Sequence, residues 1–479
     1  MPSSERIESG KGDFHAPAQN AAVNKIMDIL FHTEKYVPKR KKYTMNFKEM
    51  MEYMESIKGC GIVPGLSGIT ELCKRLGNPQ DAVSFVHIAG TNGKGSVLAF
   101  LSSILKCAGY RVGSYHSPAV FTYCERIQIN GRAISQKALC ECMEEVKAAC
   151  DAMTAEGFAQ PTPFEVETAA AFLHFRKNAC DIVVLETGMG GREDATNLVN
   201  TTKAAVLTPI GMDHMQFLGD TPEKIAAHKA GIIKNRCYVI TAGQKPEILA
   251  EIEKEAAQKQ CPLTITGEAQ KIKYGLEKQS FSYQDASGKC YEGLEISLAG
   301  KYQIENAALA VETAGRLALC GYPVSEKQLR KGLAEASWRG RFQIAAKRPL
   351  LVLDGAHNEE AAKKLAESIR FYFTNKRIVY IMGMLKDKEC EKVVAETCAY
   401  AEQIITITPP DNPRALSAMD LAQIVKEYHP HVTAAGSLEE GVEMAYLLAG
   451  KADVILCFGS LSYLGRLAKV VEERQKNRR

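Results

Sequence analysis

From about residue 46 onward, short apolar runs alternate with longer stretches in which apolar residues recur every three or four positions. The runs predict strands at 83–89, 111–115, 181–186, 204–210 and 237–241, and the longer stretches predict helices at 94–108, 135–153, 163–177, 221–234 and 246–259. Strands alternating with helices of this length imply a parallel sheet wrapped on both sides. Residues 262–299 break the rhythm with short alternating stretches (FSYQ, LEISLAG) and polar turns, the pattern of an antiparallel β insertion. Helices return at 301–319 and 325–335, and SWRGRFQ (337–343) carries the only tryptophan. A second alternating series follows, with strands at 350–354, 378–382, 404–408, 432–435 and 453–458 and helices at 358–373, 388–402, 417–428, 438–449 and 462–474. The pattern divides the chain into three parts: a polar extension over 1–45 with one short helix at 21–31 and a solvated basic run at 39–42; an α/β domain over 46–336; and a smaller α/β domain over 337–479.

Composition narrows this picture without redirecting it. A chain of 479 residues exceeds the size at which a single core stops growing, and 46% hydrophobic with 24% charged residues is ordinary for a globular protein. Sixty basic against 56 acidic residues leave +4, too small a surplus to argue for nucleic acid or a membrane surface, though it suits a site that receives anions. The 15 cysteines are scattered through apolar patterns, and the close pair Cys140 and Cys142 lacks metal-ligand spacing, so reduced core thiols are expected. The opening MPSSERIESGKGDFHAP has no apolar core of a signal peptide, and no apolar stretch approaches the roughly 20 residues of a membrane span. A cytoplasmic location follows as the expectation.

The chemistry concentrates at predicted strand ends. HIAGTNGKGS (87–96) joins a strand to a helix through Asn92, Gly93, Lys94, Gly95 and Ser96, a glycine-rich turn whose backbone N–H groups can surround a polyphosphate. Lys94 would bridge the β- and γ-phosphates and Ser96 would sit near magnesium, although Gly95 intervenes where the usual loop has Ser or Thr. The bland alternative is a plain strand-to-helix turn. Ser117 in YHSPAVF, Glu186 and Asp194 in ETGMGGREDATN, and Asp213 with His214 in MDHMQFLG stand at three other strand ends. Each alone reads as a cap, a turn or a satisfied histidine. Together a hydroxyl, a carboxylate and an imidazole beside a triphosphate loop suit magnesium, which takes few protein ligands alongside phosphate oxygens and water.

Seven blocks, HIAGTNGKGS, HSPAVFTYCERIQING, TPFEVET, ETGMGGREDATN, MDHMQFLGDTPEKIAAHKAGIIK, WRGRFQ and LDGAHN, resemble in sequence and order the folylpolyglutamate and dihydrofolate synthases of the Mur ligase superfamily. The resemblance runs from about residue 46 to the C-terminus, and Gly95 is itself characteristic of the folate branch. It implies a P-loop Mur-ligase-type ATPase domain with a β insertion, followed by a smaller Rossmann-like α/β domain. It implies that Asn92, Gly93, Lys94, Gly95, Ser96, Asn306, Arg341 and Asp354 hold ATP, and that Ser117, Glu186 and His214 ligate magnesium, two ions in all. Lys229, in HKAGIIK, matches a lysine that carbon dioxide carboxylates; a second magnesium would need that anionic oxygen where an ammonium would repel it. Its bland alternative is a helix-surface lysine. Thr162 and the Glu193–Asp194–Ala195 stretch match pterin contacts, and Arg414 in DNPRALS is a candidate grip on a glutamate carboxylate. His357 is the candidate acceptor for the glutamate amine's proton; with Lys94, Lys229 and Arg341 it completes the implied catalytic set. Tyr302 stands where relatives carry histidine, Glu359 where proline is usual, and Glu389, Met189 and Glu193 also depart from the family pattern.

The implied reaction has two steps: a substrate carboxylate attacks the γ-phosphate of MgATP, then the amine of L-glutamate attacks the acyl phosphate. The implied partners are small molecules, a reduced folate or dihydropteroate with L-glutamate, and the implied state is a monomer. Bifunctional action on dihydropteroate and tetrahydrofolate is the preferred reading. A chain-extending enzyme alone, a UDP-muramyl amino-acid ligase and a non-catalytic P-loop binding protein are the alternatives. The muramyl ligases carry Lys-Thr-Thr in the loop, and a simple switch has no need of a second nucleotide-contacting module.

Overall fold

The structure, a computed structural model, describes residues 44–61 and 64–477. Its first sheet comprises β1 (Ser84–Ala89), β2 (Val112–Tyr115), β3 (Ile127–Ile129), β4 (Arg132–Ala133), β5 (Ile182–Glu186), β6 (Thr202–Leu207), β7 (Tyr238–Thr241) and β8 (Leu263–Ile265), in the order β4-β3-β2-β5-β1-β6-β7-β8. β1 lies between β5 and β6, parallel to both, with Ile88 opposite Glu186 on one side and Ala89 opposite Leu207 on the other. These central strands are buried on both faces, which is why they read in sequence as continuous apolar runs. Because β5 and β6 flank β1, the loops leaving the carboxyl ends of all three open into one crevice, the usual ligand position in an open α/β sheet.

A three-stranded antiparallel sheet, β9 (Gln270–Lys273), β10 (Gln279–Gln284) and β11 (Cys290–Ile296), packs Phe281, Tyr283 and Leu294 into the same core as helices Lys94–Cys107 and Gln303–Ala318. The second six-stranded sheet has the order β12-β13-β17-β14-β15-β16, built from β12 (Gln343–Lys347), β13 (Leu350–Leu353), β14 (Ile378–Met382), β15 (Gln403–Thr406), β16 (Val432–Ala434) and β17 (Val454–Phe458). β12 runs antiparallel and the rest parallel. The described residues from Met45 onward pack as one unit. All fifteen cysteines are free thiols, and no helix among the described residues is long and apolar enough to cross a membrane.

Several expectations need correction. Residues 263–265 do not belong to the β insertion; they extend the first sheet as a parallel edge strand beside β7. β4 and β12 are antiparallel edge strands and β3 pairs between β4 and β2, all three too short or too half-exposed to leave a readable period. Helices Phe47–Ser56 and Ser67–Arg75 add a layer that the alternating pattern does not predict. The third strand stops at Leu207, so Asp213 and His214 lie in the loop beyond it, not at its end, with His214 in the left-handed region at φ 52°. Asp354 follows the second strand of its sheet, not the first. The extension over 1–45 and its helix at 21–31 lie outside the described residues apart from 44 and 45.

Candidate functional site

The loop after β1 is organised around one carbonyl. Gly90 O accepts from Lys94 Nζ at 3.1 Å and from Lys229 Nζ at 2.9 Å, so a lysine opening one helix and a lysine closing another meet at the same point. Lys229 is 3% exposed, which removes the helix-surface reading. Burial, reinforced by the charge of Lys94, pushes its ammonium down to about 7. Glu186, at the end of β5, lies 4.0 Å from Lys94 Nζ and accepts the backbone N–H of Ser117. Burial raises its carboxyl to about 7 against the pull of Lys94 and Arg341.

Ser117, Glu186 and Lys94 are therefore one cluster. His214 joins it from the loop after β6: burial lowers its imidazole, and Lys388, Lys229 and Lys94 lower it further against the attraction of Asp213. Among the described residues no group of three His, Cys, Asp or Glu could hold a metal ion. The expected set contains only two such residues, plus the Ser117 hydroxyl. That donor chemistry fits magnesium when phosphate and water supply the remaining oxygens. A buried carboxylate raised toward neutrality is the observation favouring a cation beside it.

Gly95 has a specific reason. A Cβ there would fall 2.7 Å from the indole of Trp338, the tryptophan of the segment joining the two sheets. Trp338 is also edge-on to His116, with ring centroids 4.7 Å apart. A Thr in this loop position would collide with the indole, so the loop variant and WRGRFQ depend on each other. Asn306, from helix Gln303–Ala318, is buried against Gly93 and bonds Gln303 at 3.1 Å.

The second sheet delivers its residues across the crevice. Asn358 caps helix Glu359–Tyr372 through Ala361 N and reaches Asn92 at 3.3 Å and Asp213 at 3.4 Å. Lys388 Nζ meets Asp213 Oδ1 at 3.0 Å, both groups mostly buried. Burial raises the Asp213 carboxyl, but His214 and Lys388 outweigh it and hold the group below the usual range. Lys388 was not among the sequence candidates; its only signal was the DKE string in a loop. Arg341 makes no hydrogen bond or ion pair among the described residues, and its guanidinium lies against Gly355, facing Glu186 and Asp354 electrostatically.

Asp354 is a hub: Oδ2 accepts from Tyr302 at 2.9 Å and from Phe342 N at 2.8 Å, and Oδ1 accepts from Ala356 N at 2.8 Å. Tyr302, the departure from histidine, thus ties the first sheet's helix to the second sheet. His357 Nδ1 sits 2.8 Å from Gly355 O, so Nδ1–H donates and Nε2 is left as an acceptor; burial holds its conjugate acid down at about 4.

The expected pterin residues are prebuilt. Thr162 caps helix Pro163–Lys177 in a reciprocal box with Glu165. Asp194 accepts Met189 N at 2.7 Å, Thr196 N at 3.0 Å and Thr196 Oγ at 2.5 Å, which takes most of a carboxylate's four acceptor positions. Ala195 is buried and Glu193 exposed. Arg414 is largely exposed and bonds Asp387 at 3.2 Å, beside Lys388, and reaches none of the other candidates directly.

A first sheet carrying a nucleotide-type loop after β1 and a second sheet whose charged residues reach that loop are the arrangement of the ATP-dependent ligases of Mur type. Residues 88–314 match the Mur ligase middle domain and residues 340–461 the Mur ligase glutamate ligase domain. The dihydrofolate synthase/folylpolyglutamate synthase of Bacillus subtilis (strain 168) is 37% identical over 417 residues, covering 85% of this chain and 95% of that protein. The protein of the same name from Escherichia coli (strain K12) is 32% identical over 428 residues, covering 89% and 95%. The structure is similar to that of E. coli FolC in complex with DHPP and ADP, with TM-score 0.80, 30% identity and coverage of 91% and 100%. Mycobacterium tuberculosis folylpolyglutamate synthase complexed with ADP and AMPPCP gives TM-score 0.80 at 27% identity, covering 89% and 99%. The chain belongs to the dihydrofolate synthase/folylpolyglutamate synthase family of Mur ligases.

Proposed function

We propose that this protein joins L-glutamate to a pterin carboxylate at the expense of ATP, acting on both dihydropteroate and tetrahydrofolate. The observation that carries the proposal is the meeting of Lys94, Lys229 and Glu186 at the loop after β1, opposite Arg341 and His357 of the second sheet. The work of such a site is electrostatic: cations fixed around a transferring phosphoryl group in a water-poor crevice lower the barrier without reorganising. Lys94 and Arg341 would take the phosphate oxygens, with Asn92, Gly93, Gly95, Ser96, Asn306 and Asp354 shaping the nucleotide's seat. Ser117, Glu186 and His214 would hold magnesium, which supplies charge neutralisation at the phosphates when bound.

Lys229 fits carboxylation. A lysine whose ammonium is pushed to about 7 is partly neutral at physiological pH, and the neutral amine adds to carbon dioxide, forming a carbamate and releasing a proton. The pterin end would lie at Thr162, Glu193, Asp194 and Ala195, and Arg414 would meet the glutamate. A base with a conjugate acid near 4 retains no proton from an amine, so His357 would orient the amine by accepting its N–H at Nε2. The division into a P-loop domain over 46–336 and a ligase domain over 337–479 would let crevice closure complete the site. Action as a cytoplasmic monomer on small-molecule substrates completes the proposed reading.

The test is incubation of the purified protein with ATP, labelled L-glutamate and either dihydropteroate or tetrahydrofolate. Labelled product with both acceptors is expected. Product with tetrahydrofolate alone would reduce the reading to chain extension, and no product with either would overturn it.

A further inference from the structure

His87 is the histidine of the loop motif, yet it lies inside β1, fully buried, where it cannot touch a nucleotide. Its Nε2 is 2.9 Å from Thr196 Oγ, and Thr196 Oγ is 2.5 Å from Asp194 Oδ1. A hydroxyl has one proton. At 2.5 Å from a carboxylate that already accepts two backbone N–H groups, that proton points at Asp194. Thr196 can then only accept from His87, which fixes the imidazole as the Nε2–H tautomer. Nδ1 is accordingly left without a hydrogen-bond partner, as an unprotonated nitrogen can be at lower cost than a buried N–H. The chain His87 Nε2–H to Thr196 Oγ–H to Asp194 runs in one direction.

The geometry points to His87 and Thr196 as positioning residues for the pterin acceptor, acting through the Asp194 carboxylate; this rests on the reading of Asp194 as a pterin contact. Asp194 Oδ2 and the edge of the Phe164 ring both border Gly188, whose absent Cβ leaves room for them, so the carboxylate and the ring line the same spot. The same turn is anchored on its other side by Asn197, which donates to Gly231 O at 3.0 Å, and Lys234 donates to Asn197 O at 2.7 Å. Neither anchor controls how the carboxylate rotates. The donors at Asp194 do, and the side-chain donor among them is the hydroxyl that His87 orients. β1 therefore serves two ends of the reaction: its carboxyl end carries the phosphate loop, and its middle fixes the acceptor's carboxylate.

The test is steady-state kinetics of the full chain with Thr196→Val, Thr196→Ser, His87→Leu and His87→Gln, together with 15N spectra of the histidines. Loss of one hydrogen bond to a charged group predicts that Thr196→Val and His87→Leu raise KM for the pterin acceptor about tenfold, with KM for ATP unchanged. Thr196→Ser should restore the wild-type value and His87→Gln, which keeps a donor near the Nε2 position, should restore part of it. Unchanged acceptor KM in Thr196→Val, or equal losses toward ATP and acceptor, would overturn the inference. The spectra test it independently of substrate: a His87 protonated at Nε2 and bare at Nδ1 is expected, and the opposite tautomer would overturn the chain even if His87→Leu does not fold. Wrong assignment of the substrate would instead show as absence of turnover in the wild type with the Nε2–H tautomer still present.

Discussion

The two halves of the crevice are built on opposite principles. At the proposed acceptor end, Thr162 and Thr196 are bonded within the protein and Asp194 has most of its acceptor positions filled, so the chain itself holds the turn in place. At the phosphate end, two lysines share one carbonyl, a carboxyl is raised to about 7, an ammonium is lowered to about 7, and Arg341 has no partner among the described residues. The contrast follows the ligands. A flat heterocycle is recognised by fixed donors and acceptors that must not collapse inward. A triphosphate brings its own charge, so the protein leaves cations poorly compensated until it arrives.

Removing a poorly compensated cation at the proposed phosphate end should therefore lower turnover, and substituting a group already packed or paired within the protein should cost stability or KM. Lys94→Met would take away the cation proposed for the transferring phosphate and is expected to lower kcat roughly 10²–10³-fold with little change in melting temperature. Equal effects on unfolding and turnover would mean that the loop is structural. Lys388→Met breaks a mostly buried pair with Asp213 across the crevice and leaves a buried charge, a change that costs about 3–5 kcal/mol in comparable sites. Denaturant unfolding should register most of that loss, and Lys388→Arg should recover part of it.

The carbamate proposed for Lys229 would form only from the neutral amine, and burial holds that group near 7. Protein stripped of carbon dioxide should regain activity when carbon dioxide is restored, with an initial rate about tenfold higher at pH 8 than at pH 6 at equal dissolved carbon dioxide. A rate independent of pH would remove the carbamate from the scheme. Gly95→Thr forces a side chain into the Trp338 indole, a crowding that typically costs about 1–3 kcal/mol, and the only tryptophan makes its displacement visible as a fluorescence shift. Thr162→Ala loses a helix cap and should cost about 1 kcal/mol of stability while leaving kcat close to wild type.

The central strands were legible because burial on both faces writes itself as an unbroken apolar run, and the helix starts at 94 and 163 because glycine turns and Thr-Pro-x-Glu boxes act locally. The motif residues were legible for the same reason: HIAGTNGKGS, GREDATN and LDGAHN each carry their chemistry within a few positions. The short antiparallel strands at 127–129, 132–133 and 343–347 were not, since two to five largely half-exposed residues carry too little pattern. Lys388 was hidden because a lysine in a polar loop looks alike whether it meets solvent or Asp213.

What the chain determined by itself was therefore the set of elements and the vocabulary of the site, since periodicity, caps and turn residues act over one or two turns. The tertiary structure decided which groups share a space: that Lys94 and Lys229 meet at Gly90, that Trp338 requires Gly95, and that His87 lies behind Asp194. Desolvation and Coulomb interaction depend on distances between segments far apart in sequence, and only the packed fold sets those distances.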